Sequence, residues 1–214
     1  MKLRIVAISD THEQHNKIKI PDGDVLIHAG DITWKGELAP LESFNRWLGR
    51  LPHKHKIVIA GNHDWAFQLI PDTARKIITD AIYLQDSSVT IEGLLFYGSP
   101  WQPAYNNWAF NLQRGKELAE KWALIPDKTD VLITHGPPFG HGDLLRPVKG
   151  KIRVGCEDLL RRIKAVRPRF HIFGHIHEGY GITHEDGTAF VNASISNAPF
   201  ADNLNAPIVW DLEV

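Results

Sequence analysis

Residues 56–64 read Lys-Ile-Val-Ile-Ala-Gly-Asn-His-Asp, a short apolar run that ends in a cluster of polar side chains. A run that is continuously apolar, rather than alternating, is typical of a strand in a sheet covered on both faces. In sheets rich in parallel strands, ligand sites form where loops leave the carboxyl ends of the strands. This stretch therefore predicts a buried strand with a functional site directly after it.

The same arrangement occurs at four more places along the chain. Each further cluster ends a run of Val, Ile, Leu or Phe: Ser9-Asp10-Thr11-His12, Gly30-Asp31, Thr134-His135-Gly136 and Gly174-His175-Ile176-His177. If these runs are strands, their carboxyl ends can bring residues more than 160 positions apart to one rim. The glycines in the clusters are expected to permit the tight turns that aim the side chains at a shared point.

Together the clusters supply a mixed set of oxygen and nitrogen metal ligands. The set contains two aspartates, one asparagine and four histidines: Asp10, Asp31, Asn62, His12, His135, His175 and His177. It suits Mn, Fe, Zn or Ni and is too rich in nitrogen for Ca or Mg alone. A further histidine, His63, is surplus to the set and is left free for chemistry. Taken singly, each cluster could be a capped turn or a packed histidine, but all five at strand ends predict a dinuclear metal site.

Composition narrows the class of protein. The chain has 214 residues and a formal net charge of -1, so it shows no electrostatic footprint for duplex nucleic acid. Its single cysteine, Cys156, excludes an internal disulfide and fits a reducing compartment. Cys156 shares a predicted helical face with Leu159, Leu160, Ile163 and Val166, which indicates packing rather than a thiolate ligand or nucleophile.

The pattern of elements predicts one domain spanning residues 1–214. No repeat, low-complexity linker or change in composition divides the chain. The first apolar run is too short for a signal peptide and no run is long enough to cross a membrane, so we expect a cytoplasmic protein without membrane contact. Strands at 2–9, 25–30, 56–60, 130–134, 170–174 and 208–213 are interspersed with helices at 37–50, 111–125 and 155–166 and hairpins at 88–98 and around 185–187. This order predicts an α/β (α+β) protein with two packed mixed β-sheets flanked by helices.

The order of the five clusters resembles the signature of the calcineurin-like metallophosphoesterase superfamily, which runs D-x-H, G-D, G-N-H-[DE], H and G-H-x-H. Every block is present across residues 8–177. Segments 99–103, 134–138, 155–156 and 171–181 are similar to the metallophosphoesterase-domain-containing subfamily, whose characterised members resemble cyclic-nucleotide and other phosphodiesterases. The resemblance implies the αββα sandwich of that superfamily.

The resemblance also implies a role for each residue of the clusters. The first metal would be held by Asp10, His12, Asp31 and His177, and the second by Asn62, His135, His175 and the bridging Asp31. His63 would be the catalytic histidine near the scissile phosphate. The protein phosphatases of the superfamily place an Asp and an Arg shortly after the G-D block to orient this histidine and grip phosphate, whereas residues 32–36 here lack both. Asp64 is then the nearest candidate to orient His63.

The expected activity is that of a metal-dependent phosphodiesterase. A hydroxide bridging two divalent ions, with Mn as the expected metal and Fe, Zn or Ni as alternatives, would attack a small phosphodiester such as a cyclic nucleotide. A phosphomonoesterase and a non-catalytic scaffold stiffened by metals are the alternatives, and the oligomeric state stays open. For substrate contacts the sequence offers Trp101, Tyr105, Asn106 and Trp108 as pocket walls and Arg146 in a basic loop, although packing or solvated positions fit these residues as well.

Overall fold

The computed structural model describes residues 2–145, 150–197 and 203–214. The strands in these ranges are β1 (Lys2–Ile8), β2 (Val25–His28), β3 (His55–Val58), β4 (Ile82–Tyr83), β5 (Ser87–Ile91), β6 (Leu94–Ser99), β7 (Gln102–Pro103), β8 (Asn111–Leu112), β9 (Val131–Thr134), β10 (Leu144–Leu145), β11 (Ile152–Arg153), β12 (Phe170–Phe173), β13 (Gly181–Glu185), β14 (Thr188–Asn192) and β15 (Ile208–Glu213). The α-helices are α1 (Leu38–Gly49), α2 (Ala66–Leu69), α3 (Pro71–Ile77), α4 (Lys116–Trp122) and α5 (Glu157–Val166), and short 3-10 turns cover His15–Lys17 and His177–Gly179.

Two mixed sheets form the centre of the molecule. The first has the order β15-β1-β2-β3-β4 and the second the order β13-β14-β12-β9-β6-β5. Strands β1 to β4 are parallel to one another, as are β6, β9, β12 and β14, while the outer strands β15, β5 and β13 pair antiparallel. Two small ribbons, β7-β8 and β10-β11, lie outside these sheets. The prediction of two mixed sheets is confirmed.

The alternation of side chains along β1 shows how the layers pack. Ile5 and Ala7 belong to the cluster between the two sheets, whereas Val6 and Ile8 pack with the helices on the outer face. Because successive side chains of a strand point to opposite faces, a strand buried on both sides has to be apolar throughout. The order of layers is therefore helix, sheet, sheet, helix.

Each outer layer has its own helices. Helix α1 places Leu41, Phe44 and Trp47 on the first sheet, and helices α4 and α5 cover the second sheet. Cys156 lies in this second outer layer, fully buried, where its Sγ accepts hydrogen bonds from the backbone N–H of Leu159 and from the indole N–H of Trp122. The packing interpretation of the cysteine is confirmed.

The predicted helix over 111–125 is too long at both ends. Asn111 and Leu112 instead form β8, which pairs in parallel with β7. Gly115 then adopts a positive φ of 86° and precedes the first residue of α4, which ends at Trp122. The spacing of apolar residues correctly indicated which face of this segment is buried. It did not indicate the pairing of β7 with β8, which makes the helix begin later than predicted. Within the described residues, none of the helices is both long and apolar enough to cross a membrane.

Candidate metal centre

The five polar clusters meet where the carboxyl ends of both sheets come together. Strands β1, β2 and β3 of the first sheet deliver residues 9–12, 30–31 and 61–64, and strands β9 and β12 of the second deliver 134–136 and 174–177. The two sheets are linked at this edge by a parallel bridge between Ser9 and Ser194. The sequence prediction that separate strand ends converge on one rim is therefore met by the topology.

The carboxylate of Asp31 lies at the centre of the cluster. Its Oδ2 atom is 3.3 Å from Nε2 of His135, 3.8 Å from Nε2 of His12 and 4.0 Å from Nε2 of His63. Asp31 is only 2% exposed. One buried carboxylate oxygen thus faces three imidazole nitrogens from three different loops.

All three of these rings are oriented by backbone carbonyl groups. The Nδ1 atom of His135 lies 2.9 Å from the carbonyl oxygen of Ala29. The corresponding distance is 3.3 Å from His12 to the carbonyl oxygen of Thr33, and 2.7 Å from His63 to that of Trp34. A carbonyl oxygen can only accept, so each Nδ1 carries a hydrogen and each Nε2 is directed into the cluster, where it presents a lone pair whenever the ring is neutral. Metal-binding histidines are commonly oriented in this way by an outer partner.

The donor set fits a cation. The Nε2 atom of His135 lies 2.9 Å from Oδ1 of Asn62 and 3.3 Å from Oδ2 of Asp31. Burial opposes a charge on His135, but the charge and hydrogen bond of Asp31 raise the pKa of its ring to about 9. These atoms are therefore joined by a positive charge, which a proton at Nε2 can supply. A divalent ion can take the place of that proton, because imidazole, amide and carboxylate ligands suit Mn, Fe, Zn or Ni.

The remaining candidate ligands form two further groups around the same point. Nε2 of His177 lies 3.5 Å from Oδ1 of Asp10, and these residues group with His12. On the other side, His175 groups with Asp31 and His135, with ligand atoms within 4.8 Å of one another. The structure therefore brings together all seven residues that the sequence proposed as ligands, in two groups that both adjoin Asp31.

Charge distribution in the cluster favours ionised aspartates. Burial opposes ionisation of Asp31, but the positive charge and hydrogen bond of His135 hold the pKa of the carboxyl well below its usual range. Burial likewise opposes ionisation of Asp10, and the hydrogen bond and charge of His177 lower its pKa. For His175 burial is the main effect, together with the charge of His135, and lowers its pKa to about 4. These pKa values favour carboxylate ligands and a neutral His175.

Four of the candidate ligands have left-handed backbone. The φ angles are 54° for Asp10, 40° for His12, 57° for Asp31 and 67° for His175. Such conformations in non-glycine residues cost on the order of 1–3 kcal/mol each and cluster at functional sites. Tight turns are predicted at the glycines, but of Gly30, Gly61, Gly136 and Gly174 only Gly30 has a positive φ.

At two of these positions, glycine is needed because a candidate ligand side chain passes close to the backbone. A Cβ atom at Gly61 would collide with the Asp31 carboxylate, and one at Gly174 would collide with the carboxylate of Asp10. Both positions therefore need glycine so that the candidate ligand beside them can reach its place.

Asp64 does not orient His63. Its buried carboxylate accepts hydrogen bonds from the backbone N–H groups of Ile32 (3.1 Å), Thr33 (2.9 Å) and Gly61 (2.8 Å) and from the hydroxyl of Thr33. Burial and the charge of Asp31 raise the pKa of Asp64 to about 6, against the lowering effect of these hydrogen bonds. Asp64 joins the loops after β2 and β3, and Trp34 orients the histidine instead.

Trp34 is the site residue that the sequence analysis missed. Besides its carbonyl bond to His63, its half-exposed indole stacks on His12 with ring centroids 4.3 Å apart. An orienting carbonyl leaves no mark in the sequence because every residue has one.

Of the residues predicted to contact substrate, some lie at the site and others do not. Trp108 lies against the ring of His63, with centroids 4.2 Å apart, so it is at the site. Trp101 instead packs between two core clusters and donates its indole N–H to Asp86, with the Lys121 ammonium 4.4 Å from its ring centroid. It is a packing residue rather than a pocket wall. Arg146 lies outside the described residues.

Comparison with known proteins agrees with this geometry. Residues 3–179 match the model of the calcineurin-like phosphoesterase family. Metallophosphoesterase domain-containing protein 1 of Homo sapiens is 47% identical, with 98% of this chain and 71% of that protein covered. A UPF0046 protein of Caenorhabditis elegans is 41% identical, with coverage of 99% and 60%.

A solved crystal structure also has this fold. It superposes with a TM-score of 0.68 at 21% identity and covers 90% of both chains. The match to the family model includes all five clusters that meet at Asp31. The chain belongs to the calcineurin-like phosphoesterase family, whose members are metal-dependent hydrolases of phosphoric esters.

Proposed function

We propose that this protein is a phosphodiesterase with a dinuclear metal centre that hydrolyses small phosphodiesters such as cyclic nucleotides. The observation that carries the proposal is the position of Asp31, whose Oδ2 atom adjoins both groups of candidate ligands. One ion would be held by Asp10, His12, Asp31 and His177, and the other by Asp31, Asn62, His135 and His175. Bound divalent ions, with Mn as the proposed metal, would supply charge that polarises the phosphoryl oxygens and activates water.

The charge of the site favours a diester over a monoester. Among the described residues, the ion pairs of Asp10 and Asp31 are all with histidines and none is with Lys or Arg. A phosphodiester carries one negative charge at neutral pH, whereas a monoester carries close to two. Carboxylates that pair with no Lys or Arg among the described residues support binding of the less charged ester, consistent with the absence of an Asp and an Arg in residues 32–36.

We assign His63 the transfer of a proton to the leaving group. Its Nδ1–H is donated to the Trp34 carbonyl, which directs Nε2 towards Asp31 at 4.0 Å. His63 is partly exposed, and although it groups with His12 and Asp31, it is surplus to the two ligand sets proposed here. Protonated at Nε2, it would deliver this proton to the ester oxygen as the bond between phosphorus and that oxygen breaks, and water would supply the new oxygen.

The test compares hydrolysis by Mn-replete protein of bis(p-nitrophenyl) phosphate, p-nitrophenyl phosphate and a phosphoserine peptide. We expect the diester to have the highest kcat/KM, and activity to disappear with a chelator and return with Mn. Faster turnover of either monoester would favour a phosphomonoesterase. Metal binding without turnover of any ester, including a library of cyclic nucleotides, would support a binding scaffold.

A further inference from the structure

A cleft opens beside the second group of candidate ligands. It has a volume of about 280 Å³, and His175 forms part of its wall together with the backbone of Gly136. His63 and the indoles of Trp34 and Trp108 do not line it. An ester bound at Asp31 would therefore have one arm towards His63 and Trp108 and the other towards this cleft.

The walls of the cleft are largely apolar. Its apolar lining comes from five separate stretches of the chain and includes Pro103, Ala104, Pro137, Leu145, Val154 and Ile176. Small-molecule sites are typically apolar clefts with a few polar groups, and their volumes run from about 300 to 1,000 Å³. A cleft just below that range accommodates a group the size of one ring rather than a peptide or an oligonucleotide.

Among the described residues that line the cleft, the one Lys or Arg is Arg114, and it already has two hydrogen-bond partners. Arg114 donates from Nη1 to the carbonyl oxygen of Gly155 at 2.7 Å and from Nη2 to that of Val154 at 2.6 Å. These bonds pin the segment that follows β11, and this segment supplies Val154 to the cleft wall. The other described walls are largely apolar, and moving a charged arm out of water onto apolar walls is costly, so this space favours an uncharged arm.

We propose that this cleft is the subsite for the retained arm of the phosphodiester and that it selects an uncharged, apolar arm about the size of one ring. The leaving arm then lies at His63, where the proton is delivered, and the retained arm leaves as an alkyl or aryl phosphate. The inference rests on the proposed function and specifies the substrate class for the same site.

The test uses two diesters with the same leaving group, methyl p-nitrophenyl phosphate and benzyl p-nitrophenyl phosphate. For the Mn-replete protein we expect kcat/KM for the benzyl ester to exceed that for the methyl ester about tenfold or more, the scale on which an apolar pocket discriminates. Ala104→Phe fills the cleft from an exposed position of its wall. It should bring the ratio of the two kcat/KM values close to one.

The matched control is Ala123→Phe, the same substitution at an exposed position after α4 and outside the cleft. It should keep the wild-type ratio. Calorimetry with the products, benzyl phosphate and methyl phosphate, provides a readout of binding that does not require turnover. Benzyl phosphate should bind more tightly to the wild type and to Ala123→Phe than to Ala104→Phe.

The outcomes separate the subsite from the activity. Hydrolysis of both diesters without discrimination, or equal loss of both in Ala104→Phe, overturns the subsite and leaves the phosphodiesterase standing. If neither diester is hydrolysed but benzyl phosphate still binds preferentially and Ala104→Phe removes the preference, the subsite stands and the proposed activity fails.

Discussion

The two sheets support their parts of the rim in different ways. In the first sheet, the loops after β1, β2 and β3 are joined to one another by backbone bonds such as His12 N–H to Asp31 C=O (3.1 Å) and by the carboxylate of Asp64. In the second sheet, the loop after β12 is attached to the first sheet by the N–H of His175, which donates to the Asp10 carboxylate at 3.0 and 3.1 Å. The first set of loops is joined by backbone groups and by a carboxylate that is not a candidate ligand, whereas the N–H of His175 is held by the carboxylate of a candidate ligand.

This difference indicates that the two ion positions are unequal. The first-sheet loops keep their arrangement through bonds that metal binding does not use. The position of His175 depends on Asp10, which is assigned to the other ion, so the second ion position is expected to be completed only after the first is in place.

The largest effect is expected at Asp31, where the two regions meet. Asp31→Ala removes the carboxylate that lies with His12 on one side and with His135 and His175 on the other, and that is assigned to both ions. Both ions should bind much more weakly, and kcat/KM should fall beyond the roughly 10²–10⁴-fold that loss of one acid–base group costs. Metal titration measures the affinity for the ions, and steady-state kinetics measure kcat/KM. A variant that keeps both ions at wild-type affinity would contradict the shared-carboxylate arrangement.

The next effect separates metal binding from proton transfer. His63→Gln removes the Nε2 proton donor but no assigned ligand, so both ions and the fold should remain while turnover falls about 10²-fold or more. The loss should be smaller for nitrophenolate esters, whose leaving groups need little protonation, than for alkyl diesters. Loss of metal, or full activity on alkyl diesters, would show that His63 has another role.

A smaller effect tests the support of the first-sheet loops. Asp64→Asn places an amide N–H₂ against backbone N–H donors of residues 32, 33 and 61, which should lower the free energy of unfolding by about 1–3 kcal/mol. Because Asp31 and Asn62 lie in the joined loops, metal affinity should also fall about 10–100-fold, as for other partners that orient ligands.

Asp143→Asn is the matched control. Asp143 is also a fully buried carboxylate, and it accepts from the N–H groups of Gly140 and Gly155 and from Arg153, none of which is a candidate ligand. Denaturant unfolding should show a comparable loss of stability, and metal titration should show unchanged affinity. Equal losses of affinity in both variants would mean that the effect at Asp64 reflects general destabilisation.

The residues that form the rim could be predicted from the sequence because the patterns that mark them are local. Continuous apolar runs mark strands buried on both faces, and the residue after each run is placed by the topology of a parallel sheet. Asp10, Asp31, His135 and His175 were located in this way without knowledge of any contact. The terminal strand β15 and the hairpin of β5 and β6 followed from apolar patterning and turn residues.

The features that the sequence did not predict depend on contacts between distant segments. Trp34 orients His63 through a backbone carbonyl, which has no residue-specific signature. Trp101 resembled a pocket wall until its partners Asp86 and Lys121, 15 and 20 positions away, were seen to hold it in the core. The sequence also could not show that Asp64, adjacent to His63, faces the loops rather than the ring.

The metal content of Mn-replete protein tests the central claim most directly. If Asp31 is shared by two ion positions of unequal support, wild-type protein will bind two Mn ions per chain in two distinguishable steps. His175→Gly will retain the first step and weaken the second, with rescue at high Mn. A wild-type stoichiometry that stays at one or below, or a His175→Gly variant that weakens the tighter step first, would contradict the account.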